Sequence, residues 1–221
     1  MMNNLFSIFD PISIFNLSLN WLSSTFFILM FPKKFYFYPN RIIMLLENLI
    51  KFLICEFKSI LFNNKFIFIP IMMFLLIMNN NIFSLIPYIF SSTSHMQLNM
   101  LMSFPIWISI MIFGWTFNMN NMFCHLVPNS TPIYLMNFMV LIETISNMIR
   151  PMTLMVRLTA NLIAGHLLLS LLSSIKFILS YQSIMLLIFI QFMLITLEMS
   201  VALIQAYVFS LLICLYFMDS N

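Results

Sequence analysis

The chain has 221 residues, of which 62% are hydrophobic and 7% are charged, with 26 Phe and 22 Met. Soluble domains carry about 25% charged residues, so one water-soluble core could not hide this much apolar surface. The composition and a net charge of only +3 exclude a cytosolic enzyme, a nucleic-acid binder and a disordered chain. We therefore predict an all-α polytopic membrane protein that forms a single membrane domain.

The N-terminal third predicts one crossing helix followed by a surface helix. Residues 12–32 are apolar and end at Phe31-Pro32, and residues 1–11 lack the basic region of a signal peptide, so a retained helix is expected. Residues 33–65 hold six of the nine basic residues, interleaved with Ile and Leu. This pattern is typical of an amphipathic helix lying against anionic lipid head groups; a juxtamembrane loop with helical content is the alternative.

Residues 66–124 predict a helical hairpin, with spans at 66–90 and 98–124 joined by a polar tip. The run Asn79-Asn80-Asn81 makes the first span a poor lipid-facing helix, so protein neighbours are expected there. Five crossings result in all. The basic block at 33–65 then places the N-terminus outside and the C-terminus inside, although Lys176 falls on the wrong side of this rule.

Residues 133–218 predict a second hairpin, with segments at 133–172 and 181–218 separated around Ser173, Ser174 and Lys176. Helices of roughly 40 residues extend about 60 Å, twice the hydrocarbon core of about 30 Å. An ordinary tilt cannot absorb that excess. Either these segments break or they are strongly inclined, and Pro151 supplies one bend.

Buried ionisable groups in these last segments mark a candidate functional site, since such groups are costly in a membrane. Glu143, Arg150 and Arg157 are spaced by seven and lie within about 40° on a helix. Asn161 joins that face one turn later, whereas His166 lies about 180° away from Arg157. A structural salt bridge of Arg150 or Arg157 with Glu143 is the alternative interpretation.

The final segment repeats the pattern, because Gln191, Glu198 and Gln205 recur every seven residues and Asp219 lies near its end. The two segments thus offer two acidic ends, Glu198 with His166 and Glu143 with Asp219. Chains of carboxylate and imidazole groups are typical of proton relays through membranes. Arg157 keeps its proton at any accessible pH, so it can block a proton but not pass one on.

Small residues indicate close helix packing in the same two segments. The four alanines and one of the two glycines all fall there: Ala160, Ala164, Gly165, Ala202 and Ala206. Small residues one turn apart let another helix approach closely in lipid. They mark either an external helical partner or the contact of the last two helices with each other.

Three runs carry a family resemblance: IETISN from residue 142, IRPMTLMVRLTANLIAGHLLL from 149 and LEMSVALIQAYVFSLL from 197. They resemble subunit a of F-type ATP synthases, in the mitochondrial and arthropod version. FSIFDP near the start and MFCHLVPNSTP from 122 extend the likeness to nearly the whole chain.

The resemblance implies a non-catalytic stator that conducts protons to a ring of c subunits through two half-channels. Other membrane-sector and peripheral-stalk subunits are implied partners. Arg157 resembles the essential stator arginine that prevents a proton short circuit. The other implied roles fall to His166, Glu198, Gln205 and Asn161 near proton uptake, to Glu143 and Asp219 near release, and to the small residues in ring packing. The implied location is the mitochondrial inner membrane, with the N-terminus towards the intermembrane space and the C-terminus towards the matrix.

Other classes of membrane protein fit less well. An ion-coupled secondary transporter would use similar buried ions but would usually show internal repeats, which are not evident here. A redox subunit is disfavoured because the three histidines lie in different segments. Cys55, Cys124 and Cys214 are odd in number and widely spaced, and no H-E-x-x-H motif occurs, so we expect neither a metal nor another cofactor.

Overall fold

A computed structural model describes residues 6, 9–12, 18–25, 40–61, 66–86, 89–127, 132–175 and 181–220. All regular structure within them is helical, as predicted. The α-helices are α1 (Arg41–Ile60), α2 (Phe68–Leu85), α3 (Met96–Phe117), α4 (Met119–Leu126), α5 (Met136–Ile175) and α6 (Tyr181–Ser220). Short 3-10 turns occur at Leu19–Trp21, Ser92–Ser94 and Ile133–Leu135.

Four of these helices, α2, α3, α5 and α6, are long and apolar enough to cross a membrane. They correspond to four of the five predicted crossings. Of the fifth, at 12–32, the structure describes residue 12 and residues 18–25, which are helical from Leu19 onward. The remainder of that predicted helix lies outside the described residues.

Helix α1 is amphipathic, as its sequence predicts. Leu53 and Phe57 are 4% and 0% exposed and belong to the core, whereas Lys51 and Lys58 are exposed. The helix packs on α6, where the Tyr207 hydroxyl donates a hydrogen bond of 3.2 Å to Oε2 of Glu56. The inner face of α1 is therefore held by the bundle, and its cations face outward.

Helices α5 and α6 each run unbroken for 40 residues. Pro151 lies inside α5 and is buried, yet the helix continues past it. The sequence left open whether these long segments break or continue at a strong inclination. They do not break, and each forms a continuous helix of about 60 Å. Their strong inclination to the membrane remains a prediction that follows from this length.

The core lies where α2, α3 and α5 pack around the C-terminal half of α6. Ala202 and Ala206 are 3% and 0% exposed, and these small side chains let neighbouring helices approach α6 closely. Asn80 and Asn81 of α2 are 5% and 0% exposed. The prediction that the asparagine run faces protein rather than lipid is thus confirmed.

Candidate functional site

The first polar site, here called the Glu198 site, consists of Gly165, His166 and Glu198 where α5 meets α6. A Cβ atom placed on Gly165 would lie 2.8 Å from Cδ and from Oε1 of Glu198. Real Cβ atoms do not approach carboxyl groups so closely, so the carboxyl occupies space that only a glycine leaves open. The sequence grouped Glu198 with His166, and the structure places that carboxyl against the residue next to His166.

The polar atoms of the Glu198 site are buried and unpaired. Both carboxylate oxygens of Glu198 and Nε2 of His166 have no hydrogen-bond partner among the described residues. The imidazole instead meets the ring of Phe9 edge-on, with 6.2 Å between centroids. Buried polar groups are normally hydrogen-bonded, so we expect these atoms to bind water or to share a proton.

The second polar site, here called the Arg150 site, is fully paired. One guanidinium nitrogen of Arg150 lies 3.5 Å from Oε1 of Glu143, and the other lies 3.6 Å from Oδ2 of Asp219. The guanidinium also stacks over the ring of Tyr216, 5.6 Å from its centroid. The predicted salt bridge between Arg150 and Glu143 is present, and Arg150 joins it to the acidic end of α6.

The Arg150 site opens into a cavity of about 290 Å³. Its wall includes Glu143, Arg150 and Asp219 together with Asn147, Thr144 and indole rings of α3. The three charged side chains are 37%, 39% and 64% exposed. A cavity of this size holds several water molecules, so the carboxylates of this site have a wet route to the surface.

Arg157 lies between these two sites on the outer surface of α5. Its side chain is exposed and forms no salt bridge with any described residue. Its backbone carbonyl accepts a 2.9 Å hydrogen bond from Nε2 of Gln205, which ties α6 to α5 at this level. Asn161 is exposed on the same face, whereas His166 is partly buried, as their helical spacing predicts.

Arg157 also lies between the two sites along the helix axes. On α6, Glu198 is about 10 Å to one side of Gln205, and Asp219 is about 21 Å to the other. On α5, Gly165 and Glu143 flank Arg157 at about 12 Å and 21 Å. A permanent cation therefore separates the unpaired site from the paired one.

The structure divides the predicted set of small residues. Ala160 and Ala164 are exposed beside Arg157, so they remain available to an external helix. Gly165, Ala202 and Ala206 are buried inside the chain. The burial of these three residues supports a role in contacts between helices of the same subunit rather than in packing against the ring. The spacing of small residues along a helix does not show whether the neighbouring helix is internal or external.

Two features of the site were missed from sequence. The link from Arg150 to Asp219 crosses between helices, and spacing within one helix carries no signal for it. Tyr216 was also missed, although it lies three residues before Asp219 and so shares its side of α6. Among the described residues, no three His, Cys, Asp or Glu side chains are grouped to hold a metal ion, and the three cysteines are free.

Comparison with known proteins gives consistent results. A sequence profile of the family described as ATP synthase A chain matches residues 13–218. Over 224 aligned positions, the chain is 49% identical to ATP synthase subunit a of Drosophila simulans, covering 100% of both chains. The same subunit of Locusta migratoria is 52% identical over 220 positions, 98% of both chains. That of Aedes aegypti is 48% identical over 226 positions, 100% of both.

Proposed function

The chain belongs to the ATP synthase A chain family, and we propose that it is the proton-conducting stator of the membrane sector. In this proposal it provides two half-channels that load and unload carboxyl groups on a rotating ring of c subunits. It carries out no catalysis itself. Its further partners are the other membrane-sector and peripheral-stalk subunits, the lipid bilayer and the protons that it conducts.

The observation that carries this proposal is the exposed guanidinium of Arg157 beside Ala160 and Ala164. An arginine in an apolar helix normally finds an internal partner, because an unpaired charge in a membrane is costly. Here the cation faces outward among small side chains, which allow a second helix to come close. A passing carboxylate on that helix is the complementary partner.

Proton uptake is assigned to the Glu198 site. Its two carboxyl oxygens and Nε2 of His166 are buried and have no hydrogen-bond partner among the described residues, and both groups can exchange a proton with water. Gln205 and Asn161 extend the polar lining from there to Arg157. The proton would leave Glu198 for a ring carboxylate that has just been released by Arg157.

Proton release is assigned to the Arg150 site. After rotation, the ring carboxyl gives its proton to water in the 290 Å³ cavity, where Glu143 and Asp219 accept and pass it on. Arg150 holds these two carboxylates close to the cavity wall.

Arg157 serves as the barrier between the two half-channels. A proton that crossed directly would dissipate about 2.3 kcal/mol per 100 mV without turning the rotor. The guanidinium also favours the deprotonated state of the ring carboxylate as it passes. A dry and fully paired contact would trap the ring, since breaking a buried pair costs about 3–5 kcal/mol, so we infer a hydrated contact.

The proposed location is the mitochondrial inner membrane, because the insect relatives are subunits of ATP synthase and the chain has several apolar spans. The cations on the outer face of α1 support a matrix-facing position for that helix. In this proposal the Arg150 site and the C-terminus lie on the matrix side, and the N-terminus faces the intermembrane space.

The test is Arg157→Gln in the complete complex reconstituted in vesicles, with Arg41→Gln as the matched control on the exposed face of α1. We expect the Arg157 variant to assemble but to lose proton-driven ATP synthesis, and the Arg41 variant to keep it. Normal coupled synthesis by the Arg157 variant would contradict the role assigned to this arginine in the stator.

A further inference from the structure

A second line of polar side chains runs through the interior of the bundle, away from the exposed face that carries Arg157. It starts at residues 91–94, four hydroxyl residues that are only 1–4% exposed where the 3-10 turn packs on α2, α3 and α5. Nδ2 of Asn99 donates to the carbonyl of Thr93 over 2.8 Å. The Ser103 hydroxyl donates to the carbonyl of Asn99 over 2.9 Å.

This polar line points towards the Arg150 site but does not reach it. Beyond Ser103 lies a small cavity of about 10 Å³, and Tyr216 of the Arg150 site lines its other side. The rest of its wall is dominated by apolar side chains: Ile106, Trp107, Ile110, Pro151, Leu154, Phe209 and Ile213. Trp107, Ile110 and Tyr216 also line the 290 Å³ cavity, so the two cavities are neighbours.

The small cavity is a poor place for water. One water molecule needs at least about 10–15 Å³ and two to four polar partners. The volume is at that lower limit, and the Ser103 hydroxyl already donates its proton to Asn99. A constriction lined by apolar side chains excludes water, and without water it also excludes protons and ions.

We propose that Ile110, Leu154, Phe209 and Ile213 form an apolar septum that insulates the Arg150 site from the polar interior around Ser103. All four side chains are buried, at 2%, 6%, 2% and 3% exposure. They come from three helices, α3, α5 and α6, and all four line the small cavity between the two polar regions. The septum would prevent a proton leak inside the subunit that never meets the ring.

The septum and Arg157 close different paths. Arg157 is exposed, so it controls passage along the surface that faces the ring. The line through Asn99 and Ser103 is buried, and neither side chain forms a hydrogen bond with Arg157. This inference rests on the proposed function, because insulation matters only if the two polar regions connect to opposite sides of the membrane.

The test measures proton flux in vesicles through complexes whose c-ring carboxyl groups are replaced by amides, so that the ring carries no protons. Wild-type complexes should be tight. Ile110→Asn places an amide in the septum and should raise proton flux at least about tenfold above the wild-type background. Ser103→Ala combined with Ile110→Asn should lower that flux again, since it interrupts the polar line.

The matched control is Ile112→Asn, the same substitution two residues away on α3 at a position that is 58% exposed. It should leave the complexes tight. An assembled Ile110→Asn complex with no more flux than the control would overturn the septum. If Ile110→Asn does not assemble, Ile213→Thr takes its place with the same two outcomes. The result for Arg157→Gln is independent, because it concerns synthesis with an intact ring.

Discussion

The Glu198 site and the Arg150 site both contain carboxyl groups, but the partners of these groups differ. In the Glu198 site, the carboxyl is buried against Gly165 and its oxygens have no partner among the described residues. In the Arg150 site, two carboxylates share one guanidinium and border an open cavity.

The difference indicates what each site does with a proton. The Glu198 carboxyl is packed against Gly165, and its oxygens have no hydrogen-bond partner among the described residues, so we infer that the Glu198 site takes up a proton and passes it on. The carboxylates of the Arg150 site share one cation and border a cavity that can hold water, so we infer that this site releases protons. The direction of use follows from pairing and burial rather than from residue type.

Within the two sites, the largest expected effect comes from filling the space at Gly165. In Gly165→Leu, a branched side chain would displace the Glu198 carboxyl and push α5 away from α6. Because displacements of about 1 Å in a reacting group can cost about 100-fold in rate, we expect proton-driven synthesis to fall by about that factor. The measurement is the synthesis rate of assembled complexes in vesicles.

The control for this change is Gly114→Ala, near the Arg150 site. A Cβ there would lie 3.0 Å from the sulfur of Met122, which can move aside, and 3.2 Å from Cβ of Ser220, which must shift by a few tenths of an ångström at the end of α6. Synthesis should stay within about twofold of wild type, because alanine also favours the helix by about 1 kcal/mol. Wild-type synthesis in Gly165→Leu would show that the close packing of Glu198 has no functional role.

A smaller effect is expected from removing the acidic proton carrier of the Glu198 site. Glu198→Gln keeps the size of the side chain, and water with His166 can bridge part of the gap. We expect synthesis to fall about tenfold, below the larger losses typical of removing an acid–base group. Its dependence on pH at the uptake side should flatten as well.

Asp219→Asn provides the comparison in the Arg150 site. Its side chain is 64% exposed, and Glu143 remains beside it, so the rate should fall by only about twofold. Equal losses in Glu198→Gln and Asp219→Asn would remove the distinction drawn between the two sites. An unchanged pH profile in Glu198→Gln would count against its relay role.

A similarly small effect is expected from unpairing the Arg150 site. Arg150→Gln leaves Glu143 and Asp219 without their shared cation, which loosens their position at the cavity and slows release. Because the pair is partly exposed and screened, a loss of about threefold in synthesis is expected. Arg150→Lys should restore part of the rate, and a variant rate equal to wild type would show that the pairing is only structural.

Much of the fold could be predicted because each membrane helix corresponds to a long run of apolar residues in the sequence. The predicted segments at 66–90, 133–172 and 181–218 correspond to α2, α5 and α6 with ends shifted by a few residues. The segment at 98–124 differs more, since the chain turns at Asn118 and divides it into α3 and α4. Asn118 donates to the carbonyl of Ser220, a contact 102 residues away that no local pattern encodes.

The functional site could be predicted only within each helix. Heptad spacing brought Glu143 and Arg150 together correctly but also placed Arg157 on their face. Residues seven apart on an α-helix are offset by about 20°, so the three side chains lie close in direction but not on one line. Arg157 is exposed and Arg150 is paired with Glu143, and this difference depends on which side chains of other helices lie beside each arginine. The contacts of Gly165 with Glu198 and of Arg150 with Asp219 depend on the register between α5 and α6, which one sequence does not contain.

The central claim is that the face of α5 carrying Arg157 is the surface that meets the c ring. Cysteine cross-linking tests it most directly, after the exposed Cys55 and Cys124 have been replaced by serine. Ala164→Cys should cross-link to a c subunit in the assembled complex, whereas Ala202→Cys, buried at 3% exposure, should not. Cross-linking from Ala202→Cys with none from Ala164→Cys would contradict the account.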